Sequence, residues 1–221
     1  MRKECITSFS SQIDYWTSIE RQLCSRQRVN EGSVSTNKST FRDAKFEIAT
    51  FSISQSGKKL HEICLDFKIT EECLILWSVA TAMLKVKSSE QLDICFERHG
   101  RELGHLDLSR TTGWLTSRFP FVVDALTNEK DILEQIHYLQ HKLKKVPLRG
   151  ASYGFLRSMN MLTTPKCEQS PNMFVFLGTV DKRSSNSSSD KSESEIFLHY
   201  TIISVALRKM SNLMKLMFEI I

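Results

Sequence analysis

Phe96-Glu97-Arg98-His99-Gly100-Arg101-Glu102 and, after a short spacer, Asp107-Leu108-Ser109-Arg110-Thr111-Thr112-Gly113-Trp114-Leu115-Thr116-Ser117-Arg118-Phe119-Pro120 form the stretch that decides this chain's fold. The first run closes an apolar segment, Leu92 to Phe96, which predicts a short strand delivering Glu97 at its end. The second opens an extended segment, Trp114 to Val123, interrupted at Pro120. Between them Glu97, His99, Arg101, Glu102 and Asp107 crowd beside the Gly113-Trp114 pair. Ionisable groups are expensive to bury without partners, so such crowding marks either a satisfied polar network or a functional site.

Working outward, Thr70-Glu71-Glu72 reads as a helix start, with a hydroxyl cap and acidic residues facing the free amides of the first turn. The body, Cys73 to Val86, is apolar on most sides and predicts a buried, central helix. Ile13, Trp16, Ile19 and Leu23 recur at helical spacing over Gln12 to Cys24. Asn128 is placed to cap a helix through Lys145 with Ile132, Ile136, Leu139 and Leu143 on one face; Pro147 and Gly150 stop it. Lys45 to Ile53 and Met173 to Leu177 read as strands. Ile196 to Leu207 and Leu213 to Ile221, around a polar turn, predict a hairpin. Residues 25–40 read as a loop, and the Ser-rich run 184–194 as a disordered loop. Strands alternating with helices predict a layered α/β or α+β domain, a mixed sheet packed with helices, over residues 1–221.

The 221 residues suffice for a real core, and 41% hydrophobic with 25% charged residues is ordinary globular composition. A net charge of +5, spread along the chain, predicts a solvated basic surface with no nucleic-acid partner. The six cysteines, Cys5, Cys24, Cys64, Cys73, Cys95 and Cys167, show no Cys-x-x-Cys pair and read as reduced thiols, with no metal site. The N-terminus lacks the apolar core of a signal peptide, and no stretch has the length of a membrane-spanning helix, so the expected location is cytoplasmic with no membrane partner.

The stretch around Glu97 resembles the epimerization subtype of the nonribosomal peptide synthetase condensation superfamily. That subtype carries Glu-Gly-His-Gly-Arg-Glu, which Glu97 to Glu102 match except at Arg98. Its Asp-x-Ser-Arg-Thr-Val-Gly-Trp-Phe-Thr is similar to Asp107, Ser109, Arg110, Thr111, Gly113, Trp114 and Thr116, with Pro120 following. Pro147, Gly150, Tyr153 and Gly154 resemble the family's Pro-x-x-Gly-x-Gly-Tyr-Gly, with Ser152 in place of a glycine. Phe176, Leu177, Gly178 and Asp181 resemble its Asn-Tyr-Leu-Gly-x-x-Asp, and Asp14-Tyr15-Trp16 the helix that opens the C-terminal lobe.

The resemblance implies the C-terminal lobe of a chloramphenicol-acetyltransferase-like architecture. There two similar lobes meet, and the 4'-phosphopantetheine arm of a peptidyl carrier protein brings in an aminoacyl or peptidyl thioester. It implies Glu97 as the acid/base candidate and no directly bound cofactor. The family's His-His-x-x-x-Asp-Gly belongs to the other lobe, and this chain has no adjacent His pair. The expectation is therefore a lobe without turnover of its own, which pairs with a separately encoded N-terminal lobe or self-associates through its bare interface. The alternatives are a non-catalytic carrier-binding or lobe-complementing module, and a decayed remnant.

On the residues alone, Glu97 and Arg101 read equally as a structural ion pair, or Glu97 as a catalytic group whose neighbour Arg98 either acts on it, narrows a tunnel or points away. His99 reads as a hydrogen-bonded core histidine or, as the alternative, a catalytic or tunnel-lining residue. Asp107 and Arg110 read as organisers of the turn or as substrate contacts, and Gly113 and Trp114 as close packing in the core; by the resemblance Arg101, Asp107, Gly113 and Trp114 are substrate-tunnel or structural residues. Tyr153 reads as loop packing or pocket lining. His137 and His141, four apart, have ligand spacing but read as surface residues.

Overall fold

A computed structural model describes residues 12–30, 57–101, 107–125, 131–162, 164, 172–180 and 195–199. Helices α1 (Ile13–Asn30), α2 (Gly57–Asp66), α3 (Glu71–Lys87), α4 (Ile132–Lys144) and α5 (Ala151–Ser158) accompany strands β1 (Gln91–Arg98), β2 (Ser117–Asp124), β3 (Met173–Val180) and β4 (Glu195–His199). The strands form one sheet in the order β2-β1-β3-β4. This is the expected α/β architecture of sheet and helices. The expected strand at 45–53, the Asn128 cap, the Ser-rich run 184–194 and the tail beyond His199 lie outside the described residues.

The chain falls into two compact units. One comprises Met1–Phe46, Asp93–Val122 and Lys144–Met173; the other comprises Glu47–Leu92, Val123–Leu143 and Phe174–Ile221. In the first, Trp16 of α1 is fully buried and meets Phe119 at 6.0 Å and Tyr153 at 5.1 Å between ring centroids. Phe96 stacks on Phe119 at 5.3 Å and meets Phe121 edge-on at 5.8 Å. Each such ring removes roughly 150–250 Å² from water, so this cluster dominates the unit's hydrophobic stabilisation. α1 runs to Asn30 rather than ending near Cys24, because Gln22, Arg26, Gln27 and Arg28 are good helix formers and nothing between them breaks the helix.

In the second unit α3 is the buried centre, with residues Cys73 through Ala80 all buried. Its start is made as the sequence predicts. Thr70 Oγ1 accepts from the Cys73 amide at 3.2 Å, Glu71 and Glu72 occupy the first turn, and Lys85 and Lys87 the last. Ser88, in the left-handed region at φ 48°, closes the helix. Gln140 of α4 bridges the turn before α3, accepting from the Thr70 amide at 2.8 Å and donating to the Lys68 carbonyl at 3.1 Å. Trp77 Nε1 donates to Gln135 at 3.1 Å. Asp124 accepts from Gln91 and pairs with Lys142 at 2.6 Å. β3 and β4 are antiparallel, and the register shifts between Phe176 and Thr179. Leu177 and Gly178 therefore face a single residue, Phe197, in a bulge that suits a glycine.

Three differences from the sequence reading matter for the site. β1 continues through Arg98, so Glu97 lies within the strand rather than at its end. Pro120 does not interrupt β2. The strand is at the edge of the sheet order, where a missing amide proton costs no ladder bond on the open side. Residues after Gly150 form α5 rather than a loop. Cys24 also departs from the reduced reading: it is disulfide-bonded. Sulfur pairing depends on Cα atoms meeting within about 4.4–6.8 Å in space, which spacing along the chain does not reveal. Cys64, Cys73 and Cys95 are free and buried.

Candidate functional site

Strand alternation decides which charges meet. Side chains two apart share a face, so Arg98 goes with Phe96 and away from Glu97. Its guanidinium carbon lies 5.3 Å from the Phe96 ring centroid, a cation–π contact. Glu97 projects to the other face, where the adjacent strand β2 offers Arg118: Arg118 Nε donates to Glu97 Oε2 at 2.6 Å. The Glu97 side chain is 20% exposed and that of Arg118 48%, so the pair sits at the rim of the fold.

Arg101 makes no ion pair with Glu97. Its guanidinium donates instead to three backbone carbonyls, those of His99 at 3.4 Å, Thr111 at 3.1 Å and Gly113 at 3.4 Å. A planar fork with several donors is suited to such a clasp. The Arg101 amide donates to His99 Nδ1 at 3.1 Å, and His99 is exposed rather than in the core. Gly100 has φ +69°, and a Cβ there would lie 1.6 Å from the Leu115 carbonyl oxygen. The chain after β1 is thus pressed backbone-to-backbone against the entry to β2, a place only glycine fits.

Asp107 Oδ1 accepts from the Ser109 amide at 3.0 Å, and hydrogen bonds from the Ser109 side chain and then its backbone lower the carboxyl's pKa. Gly113, at φ +143°, needs glycine for its conformation and has open space around its Cα. Trp114, expected in the core, is 86% exposed. The aromatic positions of the core are taken by Phe96, Phe119 and Phe121, and the loop held by Arg101 turns Trp114 outward. His137 and His141 are exposed on α4.

Tyr153 belongs to a different cluster. On α5 its hydroxyl donates to Glu20 Oε1 at 2.9 Å, and Arg157 pairs with the same carboxylate at 2.7 Å. Thr164 donates to Glu20 Oε2. Glu20 is 1% exposed, so a buried carboxylate is fully engaged by a guanidinium and two hydroxyls. Burial and the Glu20 charge push the Tyr153 phenol up to about 12. Ser152, the residue in place of a family glycine, accepts from Trp16 Nε1 at 2.9 Å and satisfies that buried indole.

The structure therefore gathers Glu97, His99, Arg101, Gly113 and Trp114 around the turn from β1 to β2, and places Tyr153 in the buried Glu20 network. Arg118, Glu20, Arg157 and Thr164 were not found from sequence. Glu20 and Arg157 are 137 positions apart, and no spacing signal joins them.

The Condensation domain family matches residues 6–212 of this chain. The chain belongs to that family. Bacitracin synthase 2 of Bacillus licheniformis is 26% identical over 171 residues, 76% of this chain and 6% of that protein. Surfactin synthase subunit 1 of Bacillus subtilis (strain 168) is 27% identical over 188 residues, 80% of this chain and 5% of that protein. The chain thus spans a small fraction of these relatives. Among solved structures, the epimerization domain from the third module of tyrocidine synthetase B is similar at 21% identity and TM-score 0.44. The match covers 73% of this chain and 39% of that one. Among the described residues, no helix of this condensation-family chain is long and apolar enough to cross a membrane.

Proposed function

We propose that this chain supplies the carboxylate half of an epimerization-type site, acting on aminoacyl or peptidyl thioesters tethered to the phosphopantetheine arm of a peptidyl carrier protein. The observation that carries the reading is Glu97 itself: a partly exposed carboxylate, fixed on a strand within the motif that marks the subtype. Epimerization breaks a Cα–H bond, the proton going to a base while the electron pair delocalises into the thioester carbonyl. A second group then returns a proton to the opposite face. Two groups in opposite protonation states are required. Glu97 is one of them. The resemblance assigns the other to a His-His-x-x-x-Asp-Gly motif, which this sequence does not contain. The reaction then needs a lobe bearing that histidine, and the chain binds no cofactor of its own.

The lack of an adjacent His pair also favours a second reading, a module that grips a carrier protein or complements such a lobe without chemistry. Deuterium incorporation at Cα of an aminoacyl-carrier thioester in D2O separates the two. The expected result is none with this chain alone, incorporation when a histidine-bearing lobe is supplied, and its loss with Glu97→Gln. Incorporation by the chain alone would overturn the two-lobe reading. Carrier binding with no incorporation in the mixture would establish the non-catalytic module, and absence of both would refute either reading.

A further inference from the structure

Glu97 lies among three arginines, and each does something different. Arg98, its neighbour in sequence, lies over the Phe96 ring. Arg101, its partner by motif, is committed to the carbonyls of His99, Thr111 and Gly113. Arg118, 21 positions away, is the one whose Nε reaches the carboxylate, at 2.6 Å. The contact occupies Oε2. Among the described residues Oε1 has no hydrogen-bond partner.

We infer that Arg118 is a positioning residue for Glu97: it anchors Oε2 across the strand pair and thereby presents Oε1 as the atom that meets a substrate proton. The inference rests on the reading of Glu97 as the proton-transfer group. Its geometric basis is independent of that reading. Gly100 seats against the Leu115 carbonyl, with Ser117 N 3.4 Å from where its Cβ would be, so the entry to β2 is held close against the end of β1. Arg118, the second residue of β2, then meets Glu97 on the face away from Arg98. A glutamate has freely rotating bonds beyond Cβ, and a charge-assisted contact to one oxygen selects one orientation of the other. Proton transfer needs the acceptor within hydrogen-bond reach of the reacting atom, and a misplacement near 1 Å costs about 10²-fold in rate.

The test compares wild-type protein with Arg118→Met, which keeps the stem length without the charge, and Arg118→Lys, which keeps the charge. Arg118 is about half exposed, so both fold, and emission from buried Trp16 and Trp77 checks this. Side-chain NMR of Glu97 should show two resolved γ-proton shifts and one rotamer in the wild type. These should collapse to averaged values in Arg118→Met and recover in part in Arg118→Lys. In the deuterium assay with the histidine-bearing lobe, Arg118→Met should lower the exchange rate about 10²-fold with carrier affinity unchanged. A Glu97 side chain that keeps its wild-type rotamer in Arg118→Met overturns the inference. Loss of exchange in the wild type with an anchored rotamer would instead count against the reading of Glu97 as the proton-transfer group.

Discussion

Glu97 and Arg118 face each other across β1 and β2 with Nε and Oε2 2.6 Å apart, while Arg101, four positions after Glu97, takes no part in that pair. One guanidinium serves the carboxylate and another serves the loop backbone. The consequences of that division are measurable.

Arg101→Ala should release the loop without unfolding either unit. Trp114 is the exposed one of the chain's three tryptophans, while Trp16 and Trp77 are buried. Acrylamide quenching should therefore report Trp114 alone in the wild type. In Arg101→Ala, hydrogen exchange at the Thr111 to Trp114 amides should accelerate, with the two buried tryptophans still protected. Unchanged exchange would mean that the three carbonyl contacts do not hold the loop.

Gly100→Ala should be poorly tolerated, because the new Cβ meets the Leu115 carbonyl oxygen in a left-handed backbone position. The strain alone is of order 1–3 kcal/mol, and moving the backbone apart would shift β2 and separate Arg118 from Glu97. Gly113→Ala meets open space and bears only the conformational cost. Urea unfolding should rank Gly100→Ala well below Gly113→Ala in stability.

Glu20→Ala should be the most destabilising substitution of a charged residue in the described structure. It removes a buried carboxylate that accepts from two hydroxyls and pairs with Arg157. Breaking a buried pair on one side costs about 3–5 kcal/mol. A loss below ~1 kcal/mol in chemical denaturation would show that water replaces the carboxylate there.

Stability should fall at alkaline pH. Burial raises the Cys64 thiol from 9.0 to about 11 and the Tyr153 phenol from 10.0 to about 12. Both groups stay protonated in the folded state at pH values where the unfolded chain has released the proton. The unfolded state then binds fewer protons, and stability declines with rising pH. The decline begins near pH 9 through Cys64 and near pH 10 through Tyr153, ending near 11 and 12. Tyr153→Phe should flatten the upper part of the curve of unfolding free energy against pH. An unchanged slope between pH 10 and 11 would contradict this.

Much of the fold was legible because its signals are local. Thr70, Glu71 and Glu72 begin α3 for reasons contained in a few residues, and the apolar run after them has to be buried. The strand pair around the Glu97 motif was equally readable, since alternation and apolar content are properties of short windows. The bounds were less so. Pro120 stands as a breaker in one dimension, yet β2 absorbs it at the sheet edge. Helix α5 is hidden behind Gly150, a stop signal along the chain that in the fold precedes the first turn in the left-handed region, packed against Phe119.

By itself the sequence determined the α/β class, the central helix and the condensation family, because composition, periodicity and motif spacing are carried by neighbours along the chain. The tertiary structure alone decided which arginine meets Glu97, that Trp114 faces solvent, and that Tyr153 serves Glu20. Those outcomes depend on strand register, on the face to which each side chain projects, and on contacts between residues 21 to more than 130 positions apart. Ion pairs and hydrogen bonds act over a few ångströms of space, so they are set only when the chain has folded.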